Sequence, residues 1–236
     1  KYIRGKISND KKVLIGVGSI LVVILLGLGI KYFYLQPQEE EANAELSLGL
    51  EYLAEGIRLN QQAISMLNAE DSTLTDSIKK ECEELKKNAT DKFNKALNGD
   101  GKYCGFIKLA NKINIANAQA GICYFYLKDY KNAIKYLEEL NTEENNILST
   151  QYLKALADSY VCDKQVEKAI ETLIQAAETS GNATQSSSML LEAGILYESL
   201  NKKEDALNIY NKIKNDFPQS QIASVEINKY IERVSK

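Results

Sequence analysis

Two hydrophobic patterns divide the chain. From Val13 to Ile30 no residue is charged, which makes an apolar run of eighteen residues. At about 1.5 Å per residue this run forms a helix of about 27 Å, close to the roughly 30 Å hydrocarbon core of a bilayer. Beyond residue 35 apolar residues recur every three or four positions, as on one face of an amphipathic helix. The patterns predict an all-α chain with a single N-terminal membrane-spanning helix over residues 13–34.

The charges on either side of this run predict its orientation. Five Lys or Arg residues and one Asp precede the run, whereas four glutamates follow it within residues 39–45. Short segments rich in Lys and Arg stay on the cytoplasmic side of a membrane. We therefore expect residues 1–12 to be a cytoplasmic basic flank, residues 35–41 to be an acidic linker, and the domain that follows to lie in the periplasm of a bacterium.

The run is expected to remain attached as an anchor in the bacterial inner membrane. The segment Ala42-Asn43-Ala44 has the small residues of a signal-peptide cleavage site, but it lies twelve residues beyond the run. Cleavage sites normally lie close to a shorter apolar core. Glycines in the run would let another membrane helix approach closely, so they are candidate membrane-docking residues: Gly16, Gly18, Gly27 and Gly29.

Three stretches of the remaining chain share one spacing of small and large residues. The small residues Gly121, Ala157 and Gly194 are 36 and 37 positions apart, and in each stretch a Tyr follows three positions later and an Ala twelve positions later. This spacing resembles the tetratricopeptide pattern, a helix–turn–helix unit with an ideal period of about 34 residues. The resemblance implies three tetratricopeptide repeats over residues 114–218, stacked into an α-solenoid because no single unit can bury its apolar face.

An earlier, degenerate repeat is expected over residues 42–113. Gly49 and Tyr52 show the spacing of a small residue and a Tyr, but the matching second helix begins only near Ala89. About 28 residues are therefore inserted, roughly residues 60–87. We expect the insert to lengthen both helices of this unit into a long helical hairpin.

Signals at helix ends complete the predicted array. Asp129 and Asn201 precede the second helices of the first and third repeats, and both residue types are good helix N-caps. Residues 219–236 are predicted to form a capping helix. One face of this helix is apolar and the other polar, as the end of a repeat array needs for solubility.

Composition and charge exclude several classes of function. The chain has a net charge of −3 and residues 32–236 carry −8, so we expect no nucleic-acid partner, because binding phosphates requires clustered cations. The chain has no His, the commonest general base and metal ligand, and no glycine-rich phosphate-binding motif. We therefore expect a protein that is not an enzyme, with no catalytic residue, cofactor, metal site or small-molecule substrate.

The four cysteines, Cys82, Cys104, Cys123 and Cys162, allow two interpretations. An even number of cysteines in an oxidising compartment suggests a disulfide. The lack of a CxxC pair, and the helical patterns around Cys123 and Cys162, instead suggest free thiols that act as small apolar side chains. The pattern favours free thiols and leaves one disulfide open.

The first helices of the predicted repeats carry an apolar set that we call the first-helix stripe: Ile122, Phe125, Tyr126, Val161, Leu191 and Ile195. A neighbouring helix, such as the inserted hairpin, could bury the stripe. Alternatively, the stripe could bind an extended or helical segment of another protein. Repeats of this kind that clamp a terminal carboxylate use Lys, Asn and Arg at such positions, and these positions hold no such set.

The whole layout resembles the YfgM-like family of membrane-anchored tetratricopeptide proteins. The resemblance rests on the basic start, the single anchor, the acidic exit Gln36-Pro37-Gln38-Glu39-Glu40 and the three repeats. The segment from Ala96 to Phe106, which reads ALNGDGKYCGF, is similar to the versions of this family in Bacteroidetes-like bacteria. The inserted segment at residues 60–87 departs from the usual family pattern.

The resemblance implies an ancillary subunit of the Sec translocon. Its partners would be translocon subunits and periplasmic chaperones or emerging secreted polypeptides, and its one membrane helix would contact lipid. The repeats alone imply only a protein-binding scaffold. A structural scaffold of another cell-envelope complex, not linked to secretion, is therefore the alternative.

Overall fold

A computed structural model describes residues 23–31, 33, 36–68, 76–100, 105–110, 114–140 and 147–235. The chain divides into two compact units, Lys1–Ser47 and Leu48–Lys236. All regular structure in the described residues is helical, and they contain no strand. The predicted all-α fold is confirmed for this part of the chain.

In the first unit, residues 23–30 form a helix with a series of exposed large aliphatic side chains: Val23, Ile24, Leu25, Leu26, Leu28 and Ile30. Gly27 and Gly29 border open space, since a methyl group added to either would meet no atom within 4 Å. Gly16, Gly18 and residues 13–22 of the predicted span lie outside the described residues. Among the helices that the structure does describe, none is long and apolar enough to cross a membrane.

The second unit consists of successive helices, and the first of these helices begins before the first residue of the unit. In chain order they are α1 (Gln36–Asn68), α2 (Asp76–Asn98), α3 (Phe106–Leu109), α4 (Asn114–Tyr126), α5 (Tyr130–Glu138), α6 (Ile147–Cys162), α7 (Val166–Thr179), α8 (Ala183–Ser199), α9 (Lys203–Asp216) and α10 (Ile227–Val234). One turn of π-helix, Ile222–Glu226, leads into α10.

Helix α1 starts earlier than the sequence pattern suggested. Residues 36–41, predicted as an acidic linker, belong to its first turns. Gln and Glu are strong helix formers, and Pro37 lies in the first turn, where its missing N–H is not needed. The acidic segment therefore continues into the hairpin as helix.

Helices α1 and α2 form the long hairpin, and a glycine marks where they cross. A Cβ added to Gly56 would lie 2.6 Å from Cε1 of Phe93 on α2. Gly49 instead lies against Phe106 of α3, whose Cε1 would be 2.6 Å from an added Cβ. The crossing residue of this unit is therefore Gly56, which corrects the assignment of Gly49.

This register also changes the size of the insert. Ala89 follows Gly56 by 33 positions, whereas Ala133 follows Gly121 by 12. The hairpin therefore holds 21 residues more than a standard unit, not about 28. The predicted turn of the hairpin, near residues 71–73, lies outside the described residues.

The three later units cross in one consistent way. Gly121 lies against Leu137, and Gly194 lies against Tyr210, with an added Cβ 2.5 and 2.3 Å from Cγ and Cε1 respectively. In both of these units the contacted large residue comes four positions after a fully buried Ala. Ala157 takes the same place in the middle unit and is also fully buried. The predicted spacing of small residues thus corresponds to close helix–helix contacts.

The turns between paired helices also repeat. Lys128, Lys164 and Asn201 have φ values of 62°, 64° and 58°, so each unit turns through one left-handed residue. Asp129 accepts a hydrogen bond from the N–H of Asn132 at 3.3 Å and caps α5 as predicted. Asn201 does not cap α9, because the N-cap position belongs to Lys202. Asn201 instead occupies the left-handed position, which corrects its predicted role.

A continuous apolar core runs through the later helices. Leu153 and Ile170 of the middle unit, Leu190 and Ile213 of the last, and Ile227 of α10 belong to one buried cluster. A second cluster joins α4 and α5 to α6 and α7. The units are therefore held together by burial between neighbours, as expected for a stacked array.

Candidate functional site

The first-helix stripe lies on α4, α6 and α8 and is only partly covered. Ile122 and Val161 are half-buried against the cluster between the first two units, and Leu191 is half-buried against the larger cluster. Ile195 remains 41% exposed. The described core therefore leaves part of the apolar surface of the stripe exposed.

A charged bridge lies beside this stripe. The Lys154 ammonium on α6 pairs with Asp158 on the same helix and with Oε2 of Glu192 on α8, the latter at 3.2 Å. Desolvation lowers the pKa of Lys154, but its two carboxylate partners outweigh this effect and the pKa is raised. The ammonium therefore stays charged, and the bridge ties α6 to α8.

The end of α4 joins the inserted hairpin through an aromatic cluster. The rings of Tyr126 and Phe93 stack with centroids 5.0 Å apart and planes 8° apart. Phe125 contacts Tyr126 edge-on at 5.7 Å and Tyr130 at 6.0 Å. Desolvation, followed by the nearby charge of Asp158, raises the pKa of Tyr126. The hairpin therefore covers one end of the stripe, at Tyr126.

A cleft opens at this junction, and we call it the hairpin cleft. It has a volume of about 580 Å³, and its walls come from α1, α2, the end of α4 and the turn before α5. The lining of the cleft is largely apolar but includes two lysines. Representative lining residues are Ile64, Lys86, Ala89, Phe93, Phe125 and Lys128. The sequence pattern does not predict this cleft, because the cleft forms only where hairpin residues near 60–64 meet residues 125–130. The aromatic pair Phe125-Tyr126 was the available signal.

Two tyrosine hydroxyls anchor neighbouring helices to acidic side chains. Tyr160 of α6 donates to a carboxylate oxygen of Glu138 on α5. Tyr210 of α9 donates to Glu198 of α8, which also accepts two hydrogen bonds from Arg233 of α10, at 2.9 and 2.6 Å. Desolvation and the adjacent carboxylates raise the pKa of both tyrosines. These contacts fix helix positions and leave both phenols protonated.

The described cysteines are free thiols. Cys82 and Cys123 are buried, Cys162 is exposed, and Cys104 lies outside the described residues. Desolvation raises the pKa of the Cys123 thiol, which makes that thiol a poor nucleophile. In the part of the chain that the structure covers, no three His, Cys, Asp or Glu side chains are grouped to hold a metal ion.

Comparison with protein families links the helix pairs to one repeat type. Residues 119–143 and 188–220 match the tetratricopeptide repeat family. The chain carries tetratricopeptide repeats. The first match covers most of α4 and all of α5, and the second runs from Ser188 in α8 through α9 to Ser220. A comparison with curated proteins gives no match.

The tetratricopeptide repeats indicate what kind of ligand the site binds. The helix pair α6–α7 lies between the two matched segments and repeats their crossing, with Ala157 at the position of Gly121 and Gly194. Arrays of such units bind protein partners on extended surfaces. The repeats, the first-helix stripe and the hairpin cleft together therefore suggest a protein-binding scaffold.

Proposed function

We propose that this chain is a membrane-attached, non-enzymatic scaffold whose tetratricopeptide repeats bind a segment of another protein. The observation that carries the proposal is the incompletely buried first-helix stripe, which extends across the first helices of all three repeats. Ile195 leaves an aliphatic side chain accessible on α8. Apolar surface of this kind on a repeat array is suited to an apolar helix or strand of a partner.

The neighbouring polar groups suit the same role. The bridge of Lys154, Asp158 and Glu192 offers carboxylate oxygens beside the stripe, and each of its two carboxylates contacts the Lys154 ammonium. A partner segment can therefore bury apolar side chains without leaving an isolated charge desolvated, which would be costly. Polar groups around an apolar centre are the usual composition of a protein–protein interface.

The finer form of the proposal concerns location and partner. In this form, one helix anchors the chain in a bacterial inner membrane, with the N-terminus in the cytoplasm and the repeats in the periplasm. The chain would be an accessory of the Sec translocon and would bind chaperones or emerging chains. The YfgM-like resemblance and the basic flank support it. The exposed aliphatic side chains of residues 23–30 are also suited to lipid.

Native co-purification of the full chain in mild detergent tests the proposal. Wild type is expected to recover channel subunits of the translocon. Ile195→Glu should reduce recovery about tenfold, because a charge would oppose apolar contact. The matched control is Val225→Glu, which adds the same charge at an exposed residue on the π-turn before α10.

Each outcome has a distinct reading. Recovery of a different envelope protein that depends on Ile195 would support the scaffold and contradict the translocon assignment. Equal recovery by both variants would contradict the stripe as the binding surface. Loss of the cooperative melting transition in Ile195→Glu alone would show that the stripe is core.

A further inference from the structure

The hairpin cleft has the form of a binding site for a large side chain. Its volume of about 580 Å³ lies within the range of about 300–1,000 Å³ that is typical of ligand pockets. Phe93 is buried at its floor, Phe125 and Tyr130 are half-buried, and Ile64 is 44% exposed on the wall formed by α1. Aromatic and aliphatic walls that stay accessible are characteristic of interface hot spots.

The lining of this cleft carries positive charge. Lys86 of α2 and Lys128 of the turn before α5 are both exposed, and neither has a described carboxylate within 4.0 Å. The carboxylate of Asp129, next in sequence to Lys128, accepts from the N–H and the side-chain amide of Asn132. The described lining residues include no Asp or Glu.

This charge contrasts with the rest of the protein. Residues 32–236 carry a net charge of −8, and several other lysines pair with acids, as Lys212 does with Glu178 at 3.2 Å. Two cations beside an apolar cleft on an acidic protein would attract an acidic ligand and repel a basic one. Among the other polar lining side chains, the amide of Asn60 can donate a hydrogen bond to the same ligand, whereas the hydroxyl of Thr90 already donates to the carbonyl of Lys86 at 2.9 Å.

We propose that the hairpin cleft binds a peptide segment of a partner protein in which a large apolar side chain lies next to a carboxylate. The apolar side chain enters between Ile64 and Phe125, and the carboxylate meets Lys86 and Lys128. This inference rests on the proposed function, because it names the chemistry of a partner segment for the same scaffold. It also assigns the inserted hairpin a role as one wall of a recognition site.

Selection of short random peptides displayed on phage, against the immobilised full chain in mild detergent, tests this inference. The variant is Lys86→Glu with Lys128→Glu. The control is Lys203→Glu with Lys229→Glu, which makes the same charge change at exposed residues outside the cleft. Wild type and control should enrich peptides in which Phe, Leu or Ile adjoins Asp or Glu.

The synthetic form of one enriched peptide then gives the quantitative result. Its affinity should fall about tenfold or more in the cleft variant and stay unchanged in the control, and added salt should weaken it. Circular dichroism should show the same helix content in all three proteins, since all four substituted lysines are exposed. Enrichment of basic peptides, no enrichment, or equal binding by the two variants would overturn the inference.

These failures differ from failure of the proposed function. If the cleft variant still recovers the partners of the full chain and Ile195→Glu does not, the scaffold stands and the role of the cleft is overturned. If the full chain recovers no partner while the peptide selection succeeds as expected, the proposed partner fails and the chemistry of the cleft stands.

Discussion

Two buried polar atoms have no described hydrogen-bond partner, Oδ1 of Asn117 and Oγ1 of Thr150. Thr150, on α6, is only 1% exposed. An unpaired buried hydroxyl costs about 1–3 kcal/mol relative to one that is hydrogen-bonded. Thr172 on α7 is nearly as buried, but its hydroxyl donates to the carbonyl of Lys168 at 2.7 Å. The two threonines therefore differ chiefly in whether the hydroxyl has a hydrogen-bond partner.

Replacing Thr150 by Val should stabilise the protein. The new methyl group has the shape of the hydroxyl without its desolvation cost, so the free energy of unfolding should rise by about 1 kcal/mol. Thr172→Val is the matched control and should lower it by up to about 1 kcal/mol, because a formed hydrogen bond is lost. Midpoints of urea unfolding measure both. A decrease for Thr150→Val would mean that its hydroxyl is paired.

The left-handed turn residues give a reciprocal prediction. Lys164 and Asn201 take equivalent positive φ values, and Asn adopts this conformation more readily than Lys. Lys164→Asn should raise the free energy of unfolding by about 0.5 kcal/mol, and Asn201→Lys should lower it by a similar amount. Thermal melting of both variants measures the changes. Shifts of the same sign in both would contradict the equivalence of the turns.

The prediction that Asn201 caps a helix was wrong because of the chemistry of the Asn side chain. Asn is favoured both at a helix N-cap and at a left-handed turn position, so its identity alone does not separate the two roles. Comparison with the other units separates them, because Lys128 and Lys164 precede the caps by one residue. Asp129 was placed correctly, because it directly follows the left-handed residue Lys128 and its carboxylate caps α5.

At the scale of the helix, one acidic side chain ties α10 to the last repeat, in addition to the burial of Ile227 and Val234 in the apolar core. Glu198 accepts from both Arg233 and Tyr210. Desolvation raises the pKa of the Glu198 carboxyl, but the hydrogen bonds from Arg233 and Tyr210 outweigh it, and this pKa lies below its ordinary value of 4.5. The ionised form is therefore favoured in the folded state.

This contact should make the docking of α10 dependent on pH. Because the folded-state pKa is the lower one, Glu198 stabilises the fold above about pH 4.5, and the contribution is lost as pH falls through the folded-state pKa. Glu198→Gln should cost about 1–2 kcal/mol at neutral pH and progressively less in acid. Urea unfolding across a pH series measures the difference. Glu232→Gln, at an exposed residue of α10, is the control, and a cost independent of pH would contradict the role of the charge.

The hairpin shows what periodicity can and cannot determine. Gly49 and Gly56 are seven residues apart on α1 and share its buried face with Leu53 and Leu59. Two turns of helix return to nearly the same direction, so both glycines fit a crossing position equally well. Only the contact of Gly56 with Phe93 on α2 distinguishes the two glycines. The spacing along the chain does not reveal this contact, because the insert lengthens the segment between the two residues. The existence of the long helices followed from the sequence pattern, but their register did not.

At the scale of the whole molecule, repeated local spacing was the predictable part. The small residues at 121, 157 and 194 and their partner alanines identify the units because each unit packs on its neighbours. The spacing also predicted the first-helix stripe. It did not predict how deeply each residue of the stripe is buried. The hairpin cleft was not predictable, since it joins residues of α1 to the end of α4 and no repeat spacing relates them.

The proposed orientation of the molecule leads to a prediction that uses its cysteines. Cys162 is exposed and Cys82 and Cys123 are buried, so a bulky thiol reagent should react with Cys162 and spare the other two. With Cys104→Ser as the background, the full chain in spheroplasts of a Gram-negative host should react with a membrane-impermeant maleimide before lysis. Adding Cys162→Ser should abolish this labelling.

A cysteine in the basic flank controls for the side of the membrane. Ser8→Cys, in the same background with Cys162→Ser, should be labelled only after lysis, because short Lys-rich flanks remain in the cytoplasm. The two results together would place Cys162 and residue 8 on opposite sides, which requires the intervening chain to cross the bilayer. Labelling of Cys162 only after lysis would instead place the repeats in the cytoplasm, where neither the chaperones nor the emerging chains of the proposal could reach them.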